Sequence, residues 1–376
     1  MKYLKTLCVI GMLLSGCGSG DGSPEGTAAA DDTTMPVDTL QVELVMGEEL
    51  GDSTNTFSSI VAVMILDDGR ILVQDQVEGA MKLYTPEGEY ISHVARRGSG
   101  PGELGMPWGM FSFPDGRIAA LDMMKQGFVI FDDSLEYLEE LALWPQNPPF
   151  QGTAVSDSQF VAYKISQEAA ESRITVTRTV ALYEYGQEDW ETALWQDSIE
   201  TTMSDLMRDP SVLIIDTLDP LSICSSPAGN VYFSLKDGED YTITELDLAG
   251  QVVREITMEL SPVEKTDEEI AAESTYVTNY VSRMSGGGGG FQFEFNPDPY
   301  KDMVVDLAIG PDGNLWARRG TRPTPFFDVY DPGTGELLRH VVFPEEGWSW
   351  ILSVSENGIL AWEEDPELGY QQLYRL

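Results

Sequence analysis

Phe113-Pro114-Asp115-Gly116-Arg117-Ile118-Ala119-Ala120 reads as the end of one strand, a tight turn and the start of the next. Asp caps the turn and Gly supplies the positive φ that reverses the chain. The phrase recurs along the chain. Leu66-Asp67-Asp68-Gly69-Arg70-Ile71-Leu72-Val73 comes before it, and Ser156-Asp157-Ser158-Gln159-Phe160-Val161-Ala162 after it. Then follow Pro227-Ala228-Gly229-Asn230-Val231-Tyr232-Phe233, Gly310-Pro311-Asp312-Gly313-Asn314-Leu315-Trp316-Ala317 and Ser355-Glu356-Asn357-Gly358-Ile359-Leu360-Ala361. Internal repeats of roughly 40 to 50 residues predict a β-propeller. Six copies predict an all-β, six-bladed ring.

Each copy parses as four short strands, A to D, rich in β-branched and aromatic residues and bounded by Gly, Pro and Asp. The sixth copy stops early. After Ile359–Trp362 and Tyr370–Tyr374 the sequence ends at Leu376, so a fourth strand is missing. Residues 39–46 (Thr-Leu-Gln-Val-Glu-Leu-Val-Met) alternate apolar residues and are spare. Open sheet edges are a liability. The N-terminal strand is therefore expected to complete the last blade in a three-plus-one closure.

The first residues carry a different signal. Lys2 and Lys5 precede a short apolar core, Leu7 to Leu14, too short to span a bilayer. It runs into Leu14-Ser15-Gly16-Cys17, which resembles the lipobox of bacterial lipoproteins, where the cysteine is lipidated. The expected organisation is a signal segment at 1–17, a flexible tether at 18–37 and the propeller at 38–376. Gly18 rather than Asp follows Cys17, which by the same resemblance implies the outer membrane.

Arg96-Arg97-Gly98-Ser99-Gly100-Pro101-Gly102-Glu103-Leu104, followed by Pro107 and the Asp115 turn, resembles the NHL-repeat-like six-bladed propeller lipoproteins of bacteria. Ile309 to Trp316, with Tyr330-Asp331, carries the same resemblance, which covers roughly 38–376. Ser158 and Ala228 depart from it at the turn glycine and the turn aspartate. The resemblance implies a fold; it implies no reaction.

Composition narrows the function. There are 63 Asp and Glu against 22 Lys and Arg, a formal net charge of −41. Nucleic acids and anionic lipid surfaces are disfavoured partners. Of the 3 cysteines, Cys8 lies in the signal, Cys17 is the anchor and Cys224 sits in an apolar stretch as a small hydrophobe. His93 and His340 are far apart and share no ligand spacing, so no transition-metal site is expected. No cofactor is expected either, although the acidic side chains leave calcium as the one ion with suitable oxygen ligands. The glycine run at 98–102 lacks the Lys-Ser/Thr ending of a phosphate loop. It reads as a link between blades.

Propeller geometry gives the best lead. In a four-stranded blade the B–C and D–A connections share one face. The residues after strand B align as Asp75, Asp122, Lys164, Leu235, Arg319 and Glu363, flanked by Gln76, Lys236, Arg318 and Glu364. Arg96, Arg97 and Glu103 belong to a D–A connection on that face. These residues are the candidate ligand-binding rim. Between the fourth and fifth repeats lies an insertion that opens with the capping-box pattern Thr266-Asp267-Glu268-Glu269. Ile270, Val277, Val281 and Met284 follow at helical spacing, then glycines 286–290 and the aromatic run Phe291-Gln292-Phe293-Glu294-Phe295. A helix on a glycine hinge could act as a lid. The favoured reading is a membrane-anchored extracytoplasmic binding module, monomeric, for a small polar ligand, a peptide or a protein. The first alternative is a metal-dependent hydrolase or lactonase, resembling the gluconolactonase-type propellers, with Asp75, Asp122, Glu363 and Asn314 as candidate ligands. The second is a structural envelope lipoprotein.

Overall fold

In the repeated turn, Gly69 and Gly116 take φ of +84° and +85°, or close to it, as the reversal requires. The aspartate before each glycine accepts the amide two residues on, Asp68 from Arg70 and Asp115 from Arg117, both at 3.1 Å. The same carboxylates hold the arginine side chains at 2.6 and 2.7 Å. Asp-Gly-Arg is thus a self-contained turn, which is why it recurs.

A computed structural model describes residues 35–48, 53–142, 150–170, 173–185, 191–208, 220–226, 228–284, 296–322, 324–344, 350–363 and 370–376. The signal segment, Cys17 and most of the tether lie outside these. The first strands among the described residues are β1 (Val37–Thr39) and β2 (Leu44–Met46). Blade 1 is β3 (Ile60–Ile65), β4 (Ile71–Asp75), β5 (Ala80–Tyr84) and β6 (Tyr90–Ala95). Blade 2 is β7 (Pro107–Ser112), β8 (Ile118–Asp122), β9 (Gly127–Phe131) and β10 (Tyr137–Ala142). Blade 3 is β11 (Phe150–Ser156), β12 (Gln159–Ala170), β13 (Arg173–Glu184) and β14 (Glu191–Thr202), followed by helix α1 (Met203–Arg208). Blade 4 is β15 (Leu221–Ser225), β16 (Val231–Leu235), β17 (Tyr241–Leu246) and β18 (Val252–Met258), followed by α2 (Asp267–Met284). Blade 5 is β19 (Val304–Ile309), β20 (Leu315–Arg319), β21 (Phe326–Tyr330) and β22 (Leu337–Val342). Blade 6 is β23 (Ile351–Ser355), β24 (Gly358–Trp362) and β25 (Leu373–Arg375).

These sheets make a six-bladed β-propeller. Its core is divided among the spaces between blades. Leu72 and Leu83 of blade 1 meet Ile118 and Phe131 of blade 2. Phe128 of blade 2 meets Phe160 and Tyr183 of blade 3, and Trp316 and Phe327 of blade 5 meet Trp350 and Ile359 of blade 6. Inner strands are therefore covered on both faces, and β4, β5, β8, β9 and β20 are buried along their whole length. Each large apolar side chain so enclosed stabilises the ring by about 1.5–3 kcal/mol. Serines stitch neighbouring A strands near the channel. Ser222 donates to the Val305 carbonyl at 2.9 Å, and Ser353 to that of Val63 at 3.1 Å.

Ring closure follows the expectation, with one refinement. β2 pairs antiparallel with β25 and supplies the fourth strand of blade 6. The N-terminal segment is not one strand, however. β1 pairs in parallel with β22 and makes a fifth strand on blade 5. Leu40 and Val42, between the two, pack into the core shared by blades 5 and 6. One strap therefore binds the last two blades together. Its direction matters too. Because β1 runs parallel to β22, the chain before Val37 leaves toward the C–D end of blade 5, opposite the B–C and D–A connections.

Two elaborations rise from the B–C and D–A face, called here the upper face. In blade 3 the three outer strands run for 12 residues each, against 5 or 6 in blade 1. Among the described residues β11 pairs as far as Tyr163, and residues 164–170 with the strands beside them are called here the flap. The sequence reading ends those strands early. The second elaboration is the 259–303 arm. Its two stalks zip together through Lys265 to Pro299 and Lys301 to Val263, and α2 sits on them.

The capping box forms as predicted: the Thr266 amide donates to Glu269 at 2.7 Å, and the Glu269 amide to Thr266 at 3.2 Å. The buried face of α2 keeps Val277 of the expected apolar stripe, leaves Ile270 half-buried and adds two acidic residues. Glu269, Glu273 and Val277 turn inward, with Glu269 held by Lys301 at 2.7 Å and Glu273 by Lys265 at 3.0 Å. The helix is pinned to its stalks by charge. The glycine run and the aromatic run beyond it lie outside the described residues, as do the side chains of Val281 and Met284.

Candidate functional site

Position five of strand B, the residue expected on the rim, lies one layer inside the ring. In blades 1 and 2 it is an aspartate with no exposure, Asp75 and Asp122. Asp75 accepts the amides of Ser58 at 2.7 Å, Ser59 at 3.0 Å and Glu78 at 3.1 Å. Asp122 accepts those of Gly105 at 2.5 Å, Met106 at 3.2 Å, Met124 at 2.8 Å and Lys125 at 3.0 Å. Each carboxylate ties the incoming D–A connection to the outgoing B–C turn. Neither presents its charge to the channel mouth, which corrects the rim assignment for both. The sequence did hold a clue: an Asp directly before a short turn caps the amides two and three residues on.

Blade 5 places Arg319 at the same position, and it too is buried. Its guanidinium grips Asp328 at 2.6 and 2.8 Å. The Tyr241 hydroxyl donates to Asp328 at 2.9 Å, the Tyr330 hydroxyl donates to Tyr241 at 2.9 Å, and His340 Nδ1 lies 2.9 Å from Asp328. Burial first, and the Asp328 charge second, push the Tyr241 hydroxyl well above its ordinary pKa, so it stays a donor. This network locks blade 4 to blade 5. Arg319 is thus a structural contact and no rim charge. Arg318 points the other way, toward blade 6. Burial pushes its guanidinium down to about 10, while the Asp306 carboxylate acts in the opposite sense.

The remaining candidates do lie at the upper face. Lys164 pairs with Glu191. The half-buried Glu363 accepts from Trp350 at 3.0 Å and Tyr374 at 2.9 Å. Gln76 donates to the Pro107 carbonyl at 3.1 Å and joins blade 1 to blade 2. Lys236 is half-buried in the B–C connection of blade 4, beside the half-buried Leu235 at the end of β16. Arg96 is exposed there, and Arg97 is exposed with its guanidinium on the Val77 carbonyl at 3.2 Å. Glu103 folds back over the glycine loop to accept from Gly100 at 2.8 Å. A Cβ at Gly98 would lie 1.8 Å from that carboxylate, so the loop needs glycine to let Glu103 in. The glycine phrase is a blade-to-blade link, as expected.

The ligand set of the hydrolase alternative does not assemble. Asp75 and Asp122 are spent on backbone amides in different blades. Asn314 lies in an A–B turn, on the opposite face, where it donates to Asp312 at 2.7 Å. Glu364 lies outside the described residues. Among the described residues no group of three His, Cys, Asp or Glu is placed to hold a metal.

The site's principal feature was not foreseen. The flap of blade 3 and the α2 arm flank blade 4 on the upper face. On the flap, Lys164, Ser166 and Glu168 share a polar side with Thr175, Thr177 and Thr179 of β13 and with Gln196, Ser198 and Glu200 of β14. The other side carries Ile165, Ile174 and Val176, which pack with Leu206 of α1 into a small separate core. Alternation in Ile174-Thr175-Val176-Thr177 is the sequence signal that would have revealed it.

Together these features define a six-bladed propeller with one elaborated face. A family model described as "6-bladed beta-propeller" (DUF5128) matches residues 52–216, which contain the first three blades. No curated protein matches the chain. Solved structures similar to it include the calcium-binding protein regucalcin from Agrobacterium tumefaciens, at 13% identity over 90% of this chain and 95% of that one, TM-score 0.46. A DUF4221 family member from Bacteroides vulgatus is similar at 9% identity over 89% and 97%, TM-score 0.49. A gluconolactonase from Xanthomonas campestris is similar at 11% identity over 85% and 86%, TM-score 0.44. Likenesses this distant say nothing of ligand or reaction.

Proposed function

We propose that the chain is a lipid-anchored extracytoplasmic binding module whose upper face takes a polar ligand, a peptide or a partner protein. One observation carries this reading. Both departures from the plain repeat, the flap and the arm, rise from the upper face, while β1 sends the chain before Val37 toward the lower one. With Cys17 lipidated and the residues between it and β1 as a tether, the elaborated face looks away from the membrane. The lipobox-like ending at Cys17 and the NHL-like glycine phrase support a bacterial envelope lipoprotein, sorted to the outer membrane. Propeller mouths are concave and ringed by loops, which suits binding.

The test uses the full-length chain in its host, with a photo-crosslinking side chain placed at one position at a time. Positions Glu103 and Lys236 report the upper face, and Asp133, in the C–D turn of blade 2, reports the lower. Adducts are expected from the first two and none from the third. Adducts from Asp133 alone would overturn the reading. Cys17→Ser should move the protein from the detergent phase to the aqueous phase, and unchanged partitioning would remove the anchor from the proposal.

A further inference from the structure

Arg318 and Arg319 are neighbours on β20, and the fold treats them in opposite ways. Arg319 faces blade 4, with its guanidinium held by Asp328 at 2.6 and 2.8 Å. Arg318 faces blade 6, and only 6% of it is exposed. Its Nη1 is enclosed without a hydrogen-bond partner, and the side chain makes no hydrogen bond or ion pair among the described residues. Asp306 acts on its charge without pairing with it.

Register explains the arrangement. Asp306 of β19 and Phe327 of β21 lie on either side of Arg318. The row facing blade 6 therefore runs outward from the channel as Asp306, Arg318 and Phe327. Asp306 is half-buried, and one of its oxygens accepts the Leu307 amide at 2.9 Å. Phe327 is fully buried in the core that Trp350 and Leu352 of blade 6 complete. Arg318 is the fourth residue of five in β20, so the row sits near the upper mouth.

Enclosing a charge without a partner is costly, and a carboxylate such as the one at Arg319 is the usual remedy. The ring does not require a cation at this position. The other blades place Gln74, Leu121, Tyr163, Ser234 and Trp362 there. An apolar side chain would pack beside Phe327 at less cost. The counter-charge of Arg318 is therefore supplied from outside the chain.

We propose that Arg318 anchors the carboxylate of a small zwitterionic ligand at the upper mouth of the channel, between blades 5 and 6. The proposal deepens the binding-module reading and rests on it. A guanidinium presents a planar fork of N–H donors that matches a carboxylate. Two observations set the other end of the ligand. A chain of net charge −41 repels a simple anion. Asp306, on the channel side of Arg318, attracts an ammonium and repels a second carboxylate. A short molecule carrying both groups suits both side chains and has no net charge.

The experiment uses the full-length chain in detergent and ligand-observed saturation-transfer NMR. The probes are glycine, β-alanine and γ-aminobutyrate, which widen the charge separation stepwise. Propionate and propylamine are the single-charge controls. One zwitterion should bind about tenfold tighter than either control. Arg318→Met should weaken that binding by about tenfold or more. It should also leave the melting temperature of the ligand-free chain unchanged or raised, because it removes an unpaired enclosed charge. A purely structural arginine would show the reverse. Arg318→Gln, uncharged but still a donor, repeats both readings in a second chain. A lower melting temperature for both variants or undiminished binding by both would overturn the proposal. So would equal binding by propionate, or no binding of any zwitterion at about 10 mM. In each of these cases crosslinked adducts at Glu103 or Lys236 keep the binding-module reading, and adducts at Asp133 alone remove it as well.

Discussion

A carboxylate at the end of strand B has two uses in a propeller, and burial decides between them. Asp122 accepts amides from Gly105, Met106, Met124 and Lys125, so it holds two loops with one side chain. Removing it leaves several partly enclosed amides to find water. Asp122→Ala is expected to destabilise the domain by about 1–3 kcal/mol, read as a lower midpoint in urea followed by tryptophan fluorescence. Asp122→Asn keeps one acceptor oxygen and should lose less. A loss below about 0.5 kcal/mol for the alanine variant would show that the loops hold themselves. The repeat made the position of Asp75 and Asp122 legible, but not their neighbours. Beyond the local turn amides, their partners Ser59 and Gly105 lie 16 and 17 residues away, in loops whose path no periodicity fixes. Arg319 is a similar case: its partner Asp328 is in the next strand of blade 5, but the Tyr241 hydroxyl that completes the network reaches Asp328 from blade 4.

At the scale of elements, the regular blades were readable because a turn with positive φ admits few residues and each blade repeats it. The flap was harder. Glu168-Ala169-Ala170 has low strand propensity, and pairing with β13 overrides it along the unbroken register from Gln159↔Glu184 to Ala170↔Arg173. On α2 the apolar spacing does mark Val277, which is buried, but it gives no sign that Lys265 and Lys301 draw Glu273 and Glu269 onto the same face. The N-terminal strap shows both outcomes. Its alternation at 39–46 was legible; its division between two blades depends on register with β22 and β25. Removing 35–46 uncovers strand edges on blades 5 and 6 and empties Leu40, Val42 and Met46 from their cores. That deletion should lower the melting temperature by several degrees and promote aggregation. Deletion of 18–34 should leave the melting curve of the lipid-free chain unchanged. Equal curves for both deletions would show that the ring closes without its strap.

The whole molecule carries −41 charges. Two salt effects of opposite sign act on it. Screening weakens attractive surface pairs such as Arg173–Glu200 and Arg208–Asp205, each worth about 0–1 kcal/mol. It also weakens the mutual repulsion of the acidic residues, which opposes compaction. There are 63 acidic residues and 22 basic ones, so most acids have no cation to pair with, and repulsion is the larger sum. The strongest attractive contacts are beyond the reach of salt, because Arg319–Asp328 and Lys265–Glu273 are enclosed. Stability is therefore expected to rise with sodium chloride, most steeply below about 0.15 M, where the Debye length exceeds about 8 Å. Thermal melts of the lipid-free chain across a salt series would read this directly. A melting temperature that falls with salt would mean that exposed ion pairs outweigh the net charge.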